Sequence, residues 1–558
     1  MKKIFLLFSL LIVTASVFSQ WTDDASENTL VYSSEDDETI PKIATDQAGN
    51  TFIAFFSNAS GNYDVLLQYY NEDGVTYWDE PLMVSDHNQQ SWLSNWAMEV
   101  DYEGNAIITF SDTRTGNPDI QIYKISPEGE FLWGGDGINC SLTPEAEYEP
   151  RLSVAENNTA YVTFIRPRTT ETDQLVVSAI DEAGNKLLGE NGLIFTSESE
   201  EYYADPYVVS SGEDAILVYS LNSGSFPSAD RILYANKIDD EGNELWDSPA
   251  LISDASGIAG FTDLSVISDK TGGVFISWHD DRDNDMNSSG FVQHISSSGE
   301  VLMDEDGTEV ATQSNVERFN PYVALNDPEG GEISVFWRQT DASQSQSGLY
   351  GQRFNGDGER LWGENGAEIL PVGATFGTLY GTQAMDTTTS LVVYSKVGDG
   401  TDEFMHAMAL DDLAEPVWPG TSTEMSVAPS GITSAVLGAF TQEQVVVAWQ
   451  DSRDNNGIYA QNIHSDGTIG INDTEIPDLI DDEISVYPNP ADDVFTIKAN
   501  LFSEVVIRNS LGQIVSRRTM DNNGTIRFEP KSSGVYFITF TNGNRNITKK
   551  AVVRRNNR

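Results

Sequence analysis

Apolar residues in this chain come in runs of four to seven, broken at short intervals by Gly, Asn, Asp and Ser. Residues 98–133 show the pattern. Met98-Glu-Val leads to a turn at Glu103-Gly104-Asn105, and Ala106-Ile-Ile-Thr-Phe-Ser follows. A polar stretch from Asp112 to Pro118 precedes Ile120-Gln-Ile-Tyr-Lys-Ile, then a Pro-Glu-Gly turn and Glu130-Phe-Leu-Trp133. Short β-rich runs bounded by turn formers predict strands, and no sustained 3.6-residue apolar stripe predicts a helix.

The unit recurs. One aromatic column runs Phe55, Phe110, Phe164, Tyr219, Trp278, Phe336, Tyr394, Trp449, at intervals of 54 to 59 residues. A second follows it by 23 to 27 residues: Trp78, Trp133, Leu188, Trp246, Met303, Trp362, Trp418. Between the columns lies a polar turn, usually with glycine. Four strands per unit at a near-constant period predict an all-β fold, a β-propeller of four-stranded blades, with the aromatic columns packing blade on blade. Eight blades are expected over residues 30–472. Seven is the alternative, because the unit around Tyr394 has Asp412-Leu413-Ala414 where the turn glycine belongs. The last unit lacks a final apolar strand, and Leu30-Val-Tyr-Ser-Ser34 is a match for it. The N-terminus is therefore expected to supply that strand and close the ring, which removes the open edges that invite aggregation.

Both ends read differently from this body. Residues 1–19 have the three parts of a secretory signal peptide: Lys2 and Lys3, the apolar run Ile4 to Val13, and a cleavage site at Val17-Phe18-Ser19. No other apolar run reaches transmembrane length. At the other end, residues 473–484 are acidic and contain proline, as a tether would. Residues 485–558 then form a separate all-β unit. It opens with Tyr487-Pro488-Asn489-Pro490, continues through the turn Leu511-Gly512-Gln513 and the strand Gly534-Val-Tyr536-Phe, and ends on Lys549-Lys550-Ala-Val-Val-Arg554. These pieces, in this order, resemble the type A C-terminal sorting domain of the type IX secretion system. The resemblance implies a small C-terminal β-sandwich read by an outer-membrane translocon, with the secretion machinery as partner. It also implies a protein delivered to the cell surface or the medium. The other reading of the tail is an ordinary immunoglobulin-like sandwich.

Charge narrows the partners. Of 31 basic and 87 acidic residues, 12 and 5 fall between Ser485 and Arg558, a net of +7, which leaves the rest of the chain at −63. A body so acidic repels phosphate backbones and anionic lipid, which excludes nucleic acid and membrane surfaces as natural partners. Cys140 is the only cysteine, so no intrachain disulfide forms and core burial must stabilise the fold. As a lone cysteine it reads as a small core residue.

The most regular polar pattern follows the first aromatic column: Phe110-Ser-Asp112-Thr-Arg114, Trp278-His-Asp280-Asp-Arg282 and Trp449-Gln-Asp451-Ser-Arg453. Repeats would turn these pairs about the axis on one face, where arginine suits carboxylates and sulfates. Against that, Asp and Arg two apart at a hairpin mouth pair with each other, and a pattern repeated in several blades belongs to the scaffold. Asp281, Asp283, Asp285 and Asn287 alternate as calcium ligands do, but Met286 and Val292 stand where an EF-hand needs glycine and glutamate. No other cofactor is indicated, and the five histidines are scattered without paired spacing. The Asp-box spacing of sialidase-like propellers fails, since Asp73-Gly74 and Asp357-Gly358 are adjacent and Trp246 falls one residue late. The expectation is a binding module for an extracellular glycan or protein, without catalysis. Its rival is a carbohydrate-active propeller enzyme.

Overall fold

The structure is a computed structural model that describes residues 20–89, 95–167, 172–197, 200–225, 229–259, 262–373, 375–398, 400, 402–471, 484–491, 494–499, 504–509, 514–519, 525–542 and 545–554. The expected signal peptide, residues 473–483 of the expected tether and Gly512 lie outside the described residues. The chain divides into two compact units, Met1–Ile471 and Asn472–Arg558.

The first unit consists of eight four-stranded antiparallel sheets, spanning 38–85, 97–139, 148–195, 201–253, 265–309, 316–373, 376–430 and 432–464. We number these blades 1 to 8 and letter the strands A to D outward from the axis. In seven blades the strands follow chain order; in blade 8 strand D is Thr29–Tyr32, paired antiparallel with Gly457–His464. The sealed ring expected from the sequence is present, and the count is eight. The degenerate unit is a full blade, because Ala414 takes the left-handed conformation (φ 63°) that glycine holds in most of the equivalent turns.

Each strand B is buried along most of its length, so it reads as a continuous apolar run. The second aromatic column locks each blade to the next. Indole Nε1 of Trp78, Trp133, Trp246, Trp362 and Trp418 donates to the carbonyls of Pro127, Glu182, Ser297, Asp412 and Ser465, at 2.8–3.1 Å. Each acceptor lies in the C–D turn of the following blade. The seam between blades 8 and 1 uses the same lock. Trp21, eight residues before the closing strand, donates to Glu72 O at 2.9 Å and packs 5.1 Å from the Tyr70 ring. Gly74 shows why these turns carry glycine: at φ +78°, a Cβ would lie 2.4 Å from Trp21 N and 2.5 Å from its Cδ2.

The second unit packs a three-stranded sheet (Ile484–Tyr487, Phe495–Ala499, Thr525–Phe528) and a four-stranded one (Ile514–Thr519, Glu504–Asn509, Gly534–Asn542, Arg545–Val553) around Phe495, Ile497, Val505, Ile507, Tyr536 and Ile538. This is the expected β-sandwich. Asn489 ties its two ends together, since its Nδ2 donates to Lys550 O at 2.7 Å and its Oδ1 accepts from Val552 N at 2.8 Å. The opening Tyr-Pro-Asn-Pro and the closing basic strand are thus one surface feature, with Tyr487 and Lys550 exposed.

Candidate functional site at the axial channel

The repeated Asp-x-Arg pairs are closed on themselves. Asp112, Asp280 and Asp451 are buried at the end of strand B, and each accepts from the arginine two residues on: Arg114 Nε at 2.8 Å, Arg282 Nε at 2.8 Å and Arg453 Nη2 at 2.6 Å. The guanidinium also lies over a ring on strand C of the same blade, with Arg282 3.4 Å from the Phe291 centroid and Arg453 4.2 Å from Tyr459. A further N–H reaches a carbonyl ahead of strand D: Asp136 O for Arg114, Asp306 O for Arg282, Glu27 O for Arg453. The unit clips strands B, C and D together; Arg453 Nη2 also reaches Ser426 Oγ of blade 7 at 3.1 Å, and Arg453 Nε alone is buried without an acceptor among the described residues. Of the two readings of these six residues, the geometry shows the pairing within each hairpin.

The calcium-like loop is likewise its own partner. Asp281 accepts from the amides of Asp285 (3.0 Å) and Met286 (3.1 Å), and Asp285 from that of Asn287 (2.9 Å). Among the described residues no three Asp, Glu, His or Cys side chains stand together as metal ligands, so Asp281, Asp283, Asp285 and Asn287 do not converge. Cys140 is fully buried, and burial pushes its thiol up, away from nucleophilic reactivity.

The axis departs from repetition. Strand A of every blade faces it, and these strands enclose a cavity of about 880 Å³ at the end that carries the A–B turns. Thr45, Glu99, Ser153, Ser210, Ser268 and Thr382 are among its lining residues. Glu99 accepts from Val154 N at 2.8 Å, and burial raises its carboxyl to about 7 against the pull of that hydrogen bond and Lys270. At the opposite end, near the B–C loops, lies a recess of about 550 Å³ over blades 1 to 4. Tyr148, Tyr202 and Tyr203 line it together with Asn95, Glu149 and Asp173.

A recurring bulge shapes this end. In five blades strand A takes one extra residue against strand B, with the extra residue left-handed: Ile40 (φ 50°), Glu149 (59°), Asp205 (49°), Asn320 (48°) and Ser434 (52°). In four of them proline follows. Bulges re-aim the side chain that comes next, and here that position varies from blade to blade: Lys42, Arg151, Tyr207 and Tyr322. Lys42 lies in its strand between Ile40 of the recess and Thr45 of the cavity, and Arg151 between Glu149 and Ser153, so both stand at the waist between the two openings. The Arg151 guanidinium rests 4.6 Å from the Tyr207 ring centroid. Burial, and then the charge of Arg151, lowers the Lys42 ammonium to about 8. Burial, with Asp205 and Asp263 nearby, raises the Glu149 carboxyl although Arg151 opposes the shift. Asp205 itself accepts from Ser220 Oγ at 2.6 Å and pairs with Arg231.

None of these waist residues was singled out from the sequence. The available signal was the proline that opens strand A, followed one residue later by a side chain that refuses to repeat.

Fold and tail together define an exported propeller: a closed eight-bladed body followed by a separate sorting sandwich. Residues 485–554 match the family described as the secretion system C-terminal sorting domain, and the protein is directed to the outer surface or the medium by the machinery that reads it. Comparison with curated proteins finds no match. Among solved structures, the chain is similar to the WD40 domain of SCAP from fission yeast (11% identity, TM-score 0.43, 79% of this chain and 96% of that one). It is also similar to the polysaccharide lyase Uly1 (11%, 0.39, 81% and 94%) and to a puromycin hydrolase (12%, 0.40, 78% and 62%). The chain thus spans less than two thirds of the puromycin hydrolase. No described helix is long and apolar enough to cross a membrane.

Proposed function

We propose that this protein is an exported, non-catalytic binding module that takes an extracellular glycan at the loop end of its axial channel. The observation that carries the reading is the recess of about 550 Å³ lined by Tyr148, Tyr202 and Tyr203 beside Asn95, Glu149 and Asp173. Flat aromatic surface with a few convergent polar groups suits the apolar faces and hydroxyl edges of sugars. The recess belongs to blades 1 to 4 alone, and this break in the ring's symmetry is what a single ligand site requires. The test is saturable binding on a glycan array, lost in Tyr202→Ala and Tyr203→Ala, with the oligosaccharide recovered intact.

One observation favours hydrolysis as a second reading. Glu149, with its raised carboxyl, stands near Asp205, held by Arg231, and two carboxylates in unlike environments are the pair a glycosidase uses. Product release that Glu149→Gln abolishes would establish it and end the non-catalytic reading.

A further inference from the structure

We infer that the waist of the axial channel is an anion site, and that the glycan taken by the recess carries a carboxylate or sulfate ester that Lys42 and Arg151 bind. The inference rests on the proposed glycan reading and specifies its chemistry.

Lys42 has no hydrogen-bond or ion-pair partner among the described residues, and the one charged group felt by its ammonium is another cation, Arg151. Arg151 forms no ion pair among the described residues either. Its Nε is buried without an acceptor, and its Nη2 makes only a 3.5 Å contact with Tyr207 Oη. Two enclosed cations, neither of them in an ion pair, are costly to any fold. The cost is conspicuous here because the rest of this unit carries such an excess of carboxylates. Three buried cations in the same ring are matched, Arg166 with Glu147 at 2.8 Å, Lys124 with Asp101 at 2.8 Å and Arg353 with Glu332 at 2.9 Å, whereas Arg338, on strand B of blade 6, likewise has a buried Nε without an acceptor. The unmatched pair occurs at the axis, on the two blades whose bulged residues, Ile40 and Glu149, line the recess. Nor are the cations a product of repetition, since blades 4 and 6 place Tyr207 and Tyr322 at the same position.

The geometry suits a sugar entering from the loop end with its acidic group leading. The group would reach Lys42 and the Arg151 guanidinium, which rests on the Tyr207 ring, while the pyranose ring stays against the tyrosines of the recess. A guanidinium offers an oxyanion two parallel N–H donors, and an ammonium adds a point charge. Glu149, Asp205 and Asp263 also face this region. Arg151 acts on the Glu149 carboxyl through space and Asp205 pairs with Arg231, but among the described residues none of the three forms an ion pair with Lys42 or Arg151.

The experiment is calorimetric titration of the full chain at low salt with three oligosaccharides of equal length: neutral, uronate-bearing and sulfated. At least one anionic series should bind about 10- to 100-fold tighter than the neutral one, as expected for charge-assisted contacts, and the advantage should shrink as salt rises. Lys42→Gln and Arg151→Gln should each remove most of that advantage and leave neutral binding in place, while Lys42→Arg keeps it. Which anionic series gains identifies the group. Equal affinity for all three series overturns the anion inference and leaves the glycan reading standing. No binding in any series overturns both. A thermal melt of Lys42→Gln at or above wild type establishes that a lost advantage is not lost folding.

Discussion

The seam is where this ring is most exposed to a single substitution, and Trp21→Ala measures it. Trp21 is 2% exposed, against 7% for Trp246 and 6% for Trp418 at equivalent locks, while Trp78 is only partly buried. A fully buried indole removes roughly 250 Å² from water, and large-to-small changes of this kind cost about 3–5 kcal/mol. Loss of the 2.9 Å bond to Glu72 O adds about 1 kcal/mol. The total is about 4–6 kcal/mol, and it falls on the contact that holds blade 8 to blade 1. Trp78→Ala removes a half-buried ring from an interior junction and should cost about half as much. Urea unfolding followed by far-ultraviolet circular dichroism reads both costs from their midpoints. Limited proteolysis should release the segment before Glu38 from Trp21→Ala but not from Trp78→Ala. A loss below about 1 kcal/mol in Trp21→Ala, or an equal loss in the two variants, would refute the assignment of Trp21 to the seam lock.

Other consequences are open to direct measurement. Arg282→Ala leaves the buried Asp280 carboxylate with the 2.8 Å bond from Trp278 Nε1 and the 3.2 Å bond from the amide of residue 282 but no cation, and should cost about 3–5 kcal/mol in unfolding experiments; ligand affinity should not change. Glu99, raised from 4.5 to about 7, binds a proton in the folded chain that the unfolded chain has released, so its share of stability is full below pH 4.5 and lost as pH rises through 7. Glu99→Gln should flatten that fall, worth about 3 kcal/mol at one pKa unit per 1.36 kcal/mol. Lys42, lowered from 10.5 to about 8, disfavours the folded state below pH 8 and ceases to do so above 10.5; Lys42→Met should raise the melting temperature by a few degrees at pH 7 and by nothing at pH 11. Deleting residues 485–554 should leave the propeller inside the cell envelope, which immunoblotting of medium and surface fractions checks.

Architecture was legible in the sequence because the forces that set it repeat. Each blade needs the same buried aromatic on strand B and a bulky apolar side chain, an indole in most, over the next turn, so Phe55 to Trp449 and Trp78 to Trp418 fall into columns. The lock at Trp21 keeps the column's period, 57 residues before Trp78, but no strand B precedes it in the chain to mark its unit, because that blade is completed more than 400 residues later. The site was hidden for the opposite reason. Asp112, Asp280 and Asp451 stood out because they recur, and they recur because they brace the blade. Lys42 and Arg151 occupy one position in the repeat but differ from Tyr207 and Tyr322 there, so no alignment of units to one another raises them. Their meaning depends on neighbours across the axis, and only the folded ring supplies those.

The indoles all reach forward, each onto the blade that follows it in the chain, and the last turn to be gripped in the circle belongs to blade 1. Trp21 emerges first during synthesis, yet its blade is completed only when Gly457–His464 has arrived. A chain released early, short of that strand, has no blade for the leading segment to finish. Completion of the eighth blade is thus written into the ring as a mechanical condition: a body truncated before its last strand cannot shut, and a protein bound for the exterior, beyond the reach of cytoplasmic chaperones, carries its own check that the propeller is whole.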